Sequence, residues 1–391
     1  GSFSAASGSR LIAASAVVGA DGALRGVLSA TGAGTRIDIA QGLDVGVGAP
    51  GTVSVNGGAA FSAGRTLLGF YGSGVGAVSV AGAGSTWTSA HALIVGHSGY
   101  GSFSVANGAE VSIGELIIGS IDQGVAGAGS VVVSGSGSRL LVNGPLVVGN
   151  PSTGNLSITV GGLVASTGLT SIGANGRIVL DGGTLRSASV DLDMTRLDWR
   201  SGVLQISGVG GAALGQGGLP TLLQMLPGRT LAVDQTLTIS ADSALLLSGG
   251  SLRAGTVVLQ RGLLASTGGG ANALQMGDIG LLLAEGQVGA RIVGGNVGMH
   301  RIVTSGALTL GLLTHDDGFA FGGQLEATAG NQVVLLDRGL AELGHATLLT
   351  DGAQLATFNG ARLGADATLL TSGTPSVQGR FVNGGQVRST G

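Results

Sequence analysis

Two pairs of neighbouring aspartates are the residues whose types and spacing best suit acid–base chemistry. Asp191 and Asp193 stand two residues apart, which places both side chains on one face of a β-strand. Asp316 and Asp317 directly follow His315. Cleavage of a polysaccharide needs two titratable groups close together, so both pairs are candidates for such chemistry. The alternative, which we favour, is that they are solvated carboxylates at a strand edge and in a turn.

The histidines do not form a motif typical of a metal site. The five are His91, His97, His300, His315 and His345. His91 and His97 are close in sequence, but no cysteine and no nearby carboxylate completes a set of ligands around them. We therefore predict no metal site and no other cofactor.

Missing residue types exclude several further kinds of chemistry. The chain has no cysteine and its 18 basic residues are all arginine, so it forms no disulfide, thiolate nucleophile or lysine Schiff base. The glycine cluster at 268–270 is not followed by a helix, as a phosphate-binding loop requires. A net charge of −3 provides no electrostatic surface for nucleic acid. We predict that the protein is not an enzyme and does not bind nucleic acid.

Three aromatic residues are candidates for a binding surface. Tyr71 lies two residues after Gly69, and Tyr100 lies four residues after Gly96, so both fall in similar loops. Trp87 lies between them in the segment S-T-W-T. If these segments stack, the three rings form a short exposed strip suited to the face of a sugar or to a partner protein. The simpler alternative is that isolated rings cover the gaps between loops.

The elements that carry these residues belong to a repeat. Short apolar runs that end in glycine recur about every 23 to 30 residues. The closing glycines are Gly19, Gly46, Gly69, Gly96, Gly119, Gly149 and Gly173. Within each repeat apolar and polar residues alternate with a period of two, as in 77–80, so the repeat consists of strands. This combination predicts an all-β parallel β-helix, or β-solenoid, whose stacked turns bury one aliphatic core.

The repeats suggest three regions along the chain. At about 24 residues a turn we expect about 16 turns, wound in the right-handed sense. Regular turns occupy 1–190, and the pattern loosens over 191–229, where we expect an irregular crossing within the solenoid. Pro220 and Pro227 permit a single helical turn or an irregular segment there, but no long helix. From 230 to 391 the solenoid continues with a looser consensus.

The chain begins inside a repeat. Gly1–Ser4 has the same sequence as Gly101–Ser104, and the given sequence does not itself contain a signal peptide. No apolar run is long enough to span a bilayer as a helix. We therefore expect a processed piece of a larger product, or a subunit whose open end is covered by something else.

Two repeats carry a family resemblance. Leu93–Val111 and, more loosely, Leu116–Leu141 contain L-x-V-G, a small polar turn, G-S-x-x-V and N-G-x-x-V. In these motifs the chain resembles the passenger repeats of bacterial autotransporters and other glycine-rich secreted proteins of Gram-negative bacteria, over about residues 8–190. The resemblance implies an extracellular or cell-surface location and, most often, an adhesin, an aggregation factor active in biofilms, or a structural stalk.

Three functions from different classes remain open. The preferred one is a non-catalytic extracellular surface rod that acts in adhesion, cell aggregation or matrix and fibre structure. Its partners would be a host or neighbouring-cell surface, a glycan or another copy of the chain. The second is a homopolymeric filament joined end to end, because an exposed strand edge is a template for another copy. The third is a polysaccharide-active β-helix enzyme.

Overall fold

The computed structural model describes most of the chain and is all-β. Stacked parallel strands form a β-solenoid of about 15 turns, so the predicted parallel β-helix is confirmed with about one turn fewer. The described part of the chain contains no α-helix, and none suited to crossing a membrane. Its single 3₁₀ helix is Met276–Asp278. The described residues are 1–20, 25–216, 218–266, 273–296, 299–314, 316, 318–328 and 330–390.

The chain divides into two compact units, Gly1–Gly208 and Val209–Gly391. The boundary lies inside the segment 191–229, where the sequence pattern loosens. Between its two prolines this segment forms the strand Leu222–Met225 instead of a helical turn. The strand pairs in parallel with Ala244–Leu247, and its alternate side chains are buried. Period-two burial therefore persists even where the glycine spacing is lost.

Each turn of the first unit contributes one strand to a nine-stranded parallel sheet, which we call the first face. Inward and outward side chains alternate along these strands, so one side of the sheet is buried and the other faces solvent. The strands are Ser2–Ala6, Gly26–Thr31, Gly51–Asn56, Val75–Ala81, Tyr100–Ala106, Ala128–Ser134, Thr153–Thr159, Gly176–Asp181 and Leu197–Trp199.

The remaining strands of the first unit form a second parallel sheet. Its longer strands shift register at a bulge, for example between Ala63 and Thr66, which bends the chain within one strand. A small antiparallel hairpin, Ile121–Asp122 with Val125–Ala126, projects from one turn. The strands of the second sheet are Arg10–Ala13, Ala16–Val18, Arg36–Val47, Ala60–Phe70, Thr86–Val95, Glu110–Ile118, Arg139–Val142, Leu146–Val148, Leu163–Ile172, Gly183–Asp191 and Gly202–Ile206.

The core of the first unit consists of columns of inward-facing side chains. One column on the first face contains Val53, Val78, Phe103, Val131 and Leu156, each paired in register with the next and each buried. Burial of such a side chain contributes about 1.5–3 kcal/mol. Because a single short strand cannot bury its apolar side alone, the stability of each turn depends on its neighbours.

Glycines form the corners where the second sheet returns to the first face. All the glycines that close the apolar runs have positive φ, with the exception of Gly173. At Gly69 φ is 71°, and a Cβ atom would collide with the backbone of Tyr100 on the next turn. Glycine is therefore required there both for its backbone conformation and for the close approach of adjacent turns.

The second unit is also a parallel solenoid, and its later turns each contain three short strands. Six of its strands form a separate parallel sheet with buried Ile292, Phe319 and Leu343 on its inner side. These six are Ala273–Gln275, Arg291–Gly294, Phe319–Phe321, Ala341–Leu343, Ala361–Leu363 and Phe381–Asn383. The others are Ala212–Ala213, Leu222–Met225, Arg229–Ser240, Ala244–Leu247, Ser251–Ser266, Ile279–Gly289, Arg301–Leu312, Gln324–Ala327, Gln332–Asp337, Ala346–Leu349, Gln354–Thr357, Thr368–Ser372, Ser376–Gln378 and Gln386–Thr390.

Candidate functional site

Large side chains are exposed together at the glycine corners of three neighbouring turns. We call this cluster the aromatic corner and define it by Phe70, Tyr71, His97, Tyr100 and the hairpin Ile121–Ala126. Tyr71 is 54% exposed and Tyr100 is 49% exposed. The hairpin adds Ile121 and Val125, which are 42% and 44% exposed. The corner thus presents four exposed large side chains on neighbouring turns.

Backbone hydrogen bonds hold the two tyrosines in position. The backbone N–H of Tyr71, where φ is 61°, donates to Ser98 Oγ at 2.9 Å, and the Ser98 side chain is buried. Gly74 N–H donates to the carbonyl of Tyr71, and Tyr100 N–H donates to the carbonyl of Gly74. Tyr100 pairs in register with Val75, which is also exposed. Tyr71 lies in a corner loop, as the sequence predicts, whereas Tyr100 begins the strand Tyr100–Ala106 directly after the corner.

The third predicted ring, Trp87, is not exposed. Its side chain is fully buried, stacked on Phe61 of the preceding turn and edge-on to Phe103 of the following one. The prediction that Trp87 belongs to an exposed strip was therefore wrong. The physical reason is that Trp87 occupies an inward position of its strand, with Thr86 and Thr88 on the opposite side.

The hairpin covers part of the corner. Its two loop residues, Gln123 and Gly124, have φ values of 49° and 81°, which matches the primed turn that suits a two-residue hairpin. The side chain of Val125 lies 3.7 Å from the point where a Cβ would stand on Gly72, so the hairpin reaches back over the Tyr71 loop. At its base Ser120 N–H donates to the carbonyl of Gly96. The hairpin is thus attached at its base and projects over two earlier corners.

His97 lies between the hairpin and the body of the solenoid. Its ring packs on Phe70 with the ring centroids 5.0 Å apart. Its Nδ1 atom is buried, makes no hydrogen bond and lies 3.9 Å from a carboxylate oxygen of Asp122 in the hairpin. Burial lowers the pKa of His97 below its usual 6.5, and Arg65 lowers it further, whereas Asp122 and Asp44 act in the opposite direction. The imidazole is therefore neutral near pH 7.

A column of serines on the first face was not anticipated from the sequence. Ser4, Ser29, Ser54, Ser79 and Ser104 face outward and pair in register on successive strands. Adjacent strands in a sheet are about 4.8 Å apart, so the hydroxyl groups form an evenly spaced row. The five serines recur at intervals of 25 residues, so the repeat itself contains the signal for their alignment.

The first pair of candidate carboxylates is not assembled as an acid–base pair. Asp191 ends its strand, whereas Asp193 lies in the following turn. There the Asp193 carboxylate accepts hydrogen bonds from the hydroxyl and backbone N–H of Thr195 and pairs with Arg196 at 3.0 Å. These hydrogen bonds, first of all that of the Thr195 hydroxyl, lower the pKa of Asp193. This arrangement stabilises a turn.

The second pair falls only partly within the described residues, because His315 and Asp317 lie outside them. The Asp316 side chain is 82% exposed and lies 3.7 Å from the guanidinium of Arg338. Nearby Asp337, which the sequence analysis did not single out, is buried and accepts backbone N–H groups of Phe319 and Gly339. Burial raises the pKa of Asp337, and the charge of Asp316 adds to this effect. Asp337 fastens two backbone segments of the second unit.

The histidines of the described residues are dispersed. His91 lines a groove of 460 Å³ together with Gln41, Asp44 and Arg65. His300 is buried, and its Nδ1 accepts the backbone N–H of Asn296. Among the described residues no three His, Asp or Glu side chains come close enough to hold a metal ion. The glycine cluster at 268–270 lies outside the described residues.

Fold and corner together define a class: a glycine-cornered parallel β-solenoid that carries an exposed aromatic cluster. No protein-family model, no curated protein and no solved structure matches the chain. The resemblance to autotransporter passengers therefore stays a prediction that rests on the repeat motifs alone.

Proposed function

We propose that this solenoid is a non-catalytic extracellular surface protein that acts in adhesion, cell aggregation or fibre structure, and that it contacts its partner through the aromatic corner. The observation that carries the proposal is the clustering of four large side chains, Tyr71, Tyr100, Ile121 and Val125, each between 42% and 54% exposed, on neighbouring corners. A cluster of exposed apolar side chains is a common mark of an interaction site.

The chemistry of the corner suits a partner surface better than a small substrate. Each tyrosine offers an apolar ring and a hydroxyl group, a combination enriched in binding hot spots. The backbone hydrogen bonds of Tyr71 and Tyr100 hold both residues in place, which limits the conformational entropy lost when a partner binds. The partner would be a host or neighbouring-cell surface, a glycan displayed on it, or another copy of the chain.

The carboxylates favour a non-catalytic role. Asp193 is engaged by Thr195 and Arg196, and the buried Asp337 is saturated by backbone donors. A general acid and base would have to face a common substrate position. The carboxylates of these two aspartates instead accept hydrogen bonds from nearby groups of the chain and stabilise its turns.

A binding assay with two matched double variants tests the proposal. Tagged protein is applied to bacterial cells, host cells and an immobilised glycan panel, and bound protein is quantified. We expect Tyr71→Ala with Tyr100→Ala to weaken the strongest interaction by roughly tenfold or more, since one hot-spot side chain is worth more than about 1 kcal/mol. The control, Ser79→Ala with Ser104→Ala, alters the first face instead and should leave binding unchanged.

Two outcomes would overturn the proposal. One is binding that is equally strong in the tyrosine variant and the wild type. The other is depolymerisation of a polysaccharide by the wild-type protein that is lost in Asp191→Asn or Asp316→Asn, which would support the enzyme alternative.

A further inference from the structure

The contacts of His97 connect the hairpin to the aromatic corner. The ring lies against Phe70, with the ring centroids 5.0 Å apart, and only 16% of the side chain is exposed. Its Nδ1 atom faces Asp122 of the hairpin at 3.9 Å, which is too long for a hydrogen bond. A buried ring nitrogen without a hydrogen-bond partner suits a neutral imidazole far better than an imidazolium.

We propose that His97 is a pH-dependent clasp: its neutral ring holds the hairpin Ile121–Ala126 over the aromatic corner, and its protonation releases the hairpin. The idea deepens the proposed function, because it would make partner binding at Tyr71 and Tyr100 depend on pH. The clasp itself is a property of the fold and is measurable without any partner.

The charged groups around His97 decide the direction of the effect. Asp122 on the hairpin and Asp44 on the second sheet attract an imidazolium, whereas Arg65 on the neighbouring strand repels it. Burial opposes the charge most strongly, and it outweighs the attraction of the two carboxylates. A partly exposed ion pair with Asp122 contributes only about 0–1 kcal/mol. Protonation therefore favours an exposed position of the ring over its buried contact with Phe70.

When the His97 ring leaves its contact with Phe70, the outer part of the hairpin is released. The base stays attached, because Ser120 N–H donates to Gly96 and Gly127 N–H donates to Ser120. Beyond the base, Val125 lies beside Gly72 and Asp122 faces His97. Projecting hairpins belong to the segments that open with low free energy.

Hydrogen exchange of the full chain tests the clasp. Exchange of the peptide that covers residues 120–127 is compared between wild type and His97→Gln at about pH 7.5 and about pH 5, on either side of the usual histidine pKa. Glutamine stays neutral at both pH values, and comparison of the two proteins at the same pH cancels the intrinsic pH dependence of exchange. We expect equal rates at the higher pH and roughly fivefold faster exchange in the wild type at the lower pH.

A second variant keeps the test decisive if glutamine packs poorly. Asp122→Asn removes the attraction for the imidazolium, so the pH at which the hairpin is released should shift downward. The clasp is overturned if the ratio of exchange rates between wild type and His97→Gln is the same at both pH values. It is also overturned if the wild type exchanges more slowly than the variant at the lower pH. Faster exchange at low pH without any Tyr71-dependent binding would leave the clasp standing and refute the proposed function.

Discussion

The ring of Trp87 lies parallel to that of Phe61, with the centroids 4.1 Å apart and an angle of 6° between the planes. Phe61 and Trp87 are paired in register on adjacent strands. Phe103 of the next turn meets Trp87 edge-on at 5.8 Å. Three aromatic side chains from three consecutive turns thus pack together in the core of the first unit.

Removal of the central ring should destabilise the first unit strongly. Trp87→Ala leaves a cavity between two turns, and we expect a loss of about 3–5 kcal/mol in the free energy of unfolding. Urea-induced unfolding followed by far-UV circular dichroism measures the change. Tyr100→Ala, which removes an exposed ring, serves as the control and should change stability by no more than about 0.5 kcal/mol. Equal effects of the two substitutions would contradict the burial of Trp87.

The glycine corners permit a test that separates backbone strain from steric collision. Gly8 and Gly69 have similar φ values, 77° and 71°, but a Cβ on Gly8 would meet no atom within 4 Å. Gly8→Ala therefore measures the cost of the left-handed conformation, about 1 kcal/mol. Gly69→Ala adds a collision with the backbone of Tyr100 and should cost roughly 3 kcal/mol or more. Thermal unfolding of both variants provides the comparison, and similar melting temperatures would argue against the close approach of turns at Gly69.

Asp38 should make stability depend on pH in the acid range. Burial raises its pKa, but hydrogen bonds from Ser62, Arg36 and Arg10 outweigh that effect and lower the pKa below its usual 3.8. The unfolded state then binds more protons than the folded state between the two pKa values, so stability is lost as the pH falls through this window. We expect the stability difference between wild type and Asp38→Asn to be constant above about pH 5 and to shrink below about pH 4. Urea unfolding at a series of pH values measures this stability difference. A difference that stays constant below about pH 4 would show that the Asp38 carboxylate is not held in its charged form.

Asp337 should be more important for stability than its exposed neighbour Asp316. Both carboxylate oxygens of Asp337 accept backbone N–H groups, one from Phe319 and one from Gly339. In Asp337→Asn the amide nitrogen replaces one of these acceptors and opposes a donor, which should cost about 1–3 kcal/mol. The matched control is Asp316→Asn, for which we expect a change within about 0.5 kcal/mol. Urea unfolding of both variants, followed by circular dichroism, measures the change. Equal stabilities of the two variants would contradict this explanation.

Local patterns predicted the fold because they determine strands and corners directly. Period-two alternation identified the strands, and the turn at Asn107–Gly108 has the positive φ values that its residue types favour. The strand Leu222–Met225 shows the limit of such reasoning. Two flanking prolines suggested a crossing, yet alternate burial of Leu223 and Met225 on stacked turns determined the conformation.

The candidate site was only partly predictable. Position relative to Gly69 and Gly96 was sufficient to place Tyr71 in a corner and Tyr100 close to one, because corners recur with the repeat. Alternation within Thr86–Ser89 contained the signal that Trp87 faces inward, since its neighbours on both sides are threonines. The contact between His97 and Asp122 depends on how a hairpin folds back across turns, and no local pattern encodes it.

The hairpin also has a practical consequence for protein engineering. Eight residues, 120–127, bulge outward between two strands that remain fully stacked on their neighbours. The solenoid thus accepts additional chain at a glycine corner without a change in the spacing of its turns. A foreign epitope inserted between Gln123 and Gly124 would be displayed at one defined turn of the solenoid. This corner is therefore a suitable insertion point for peptide display.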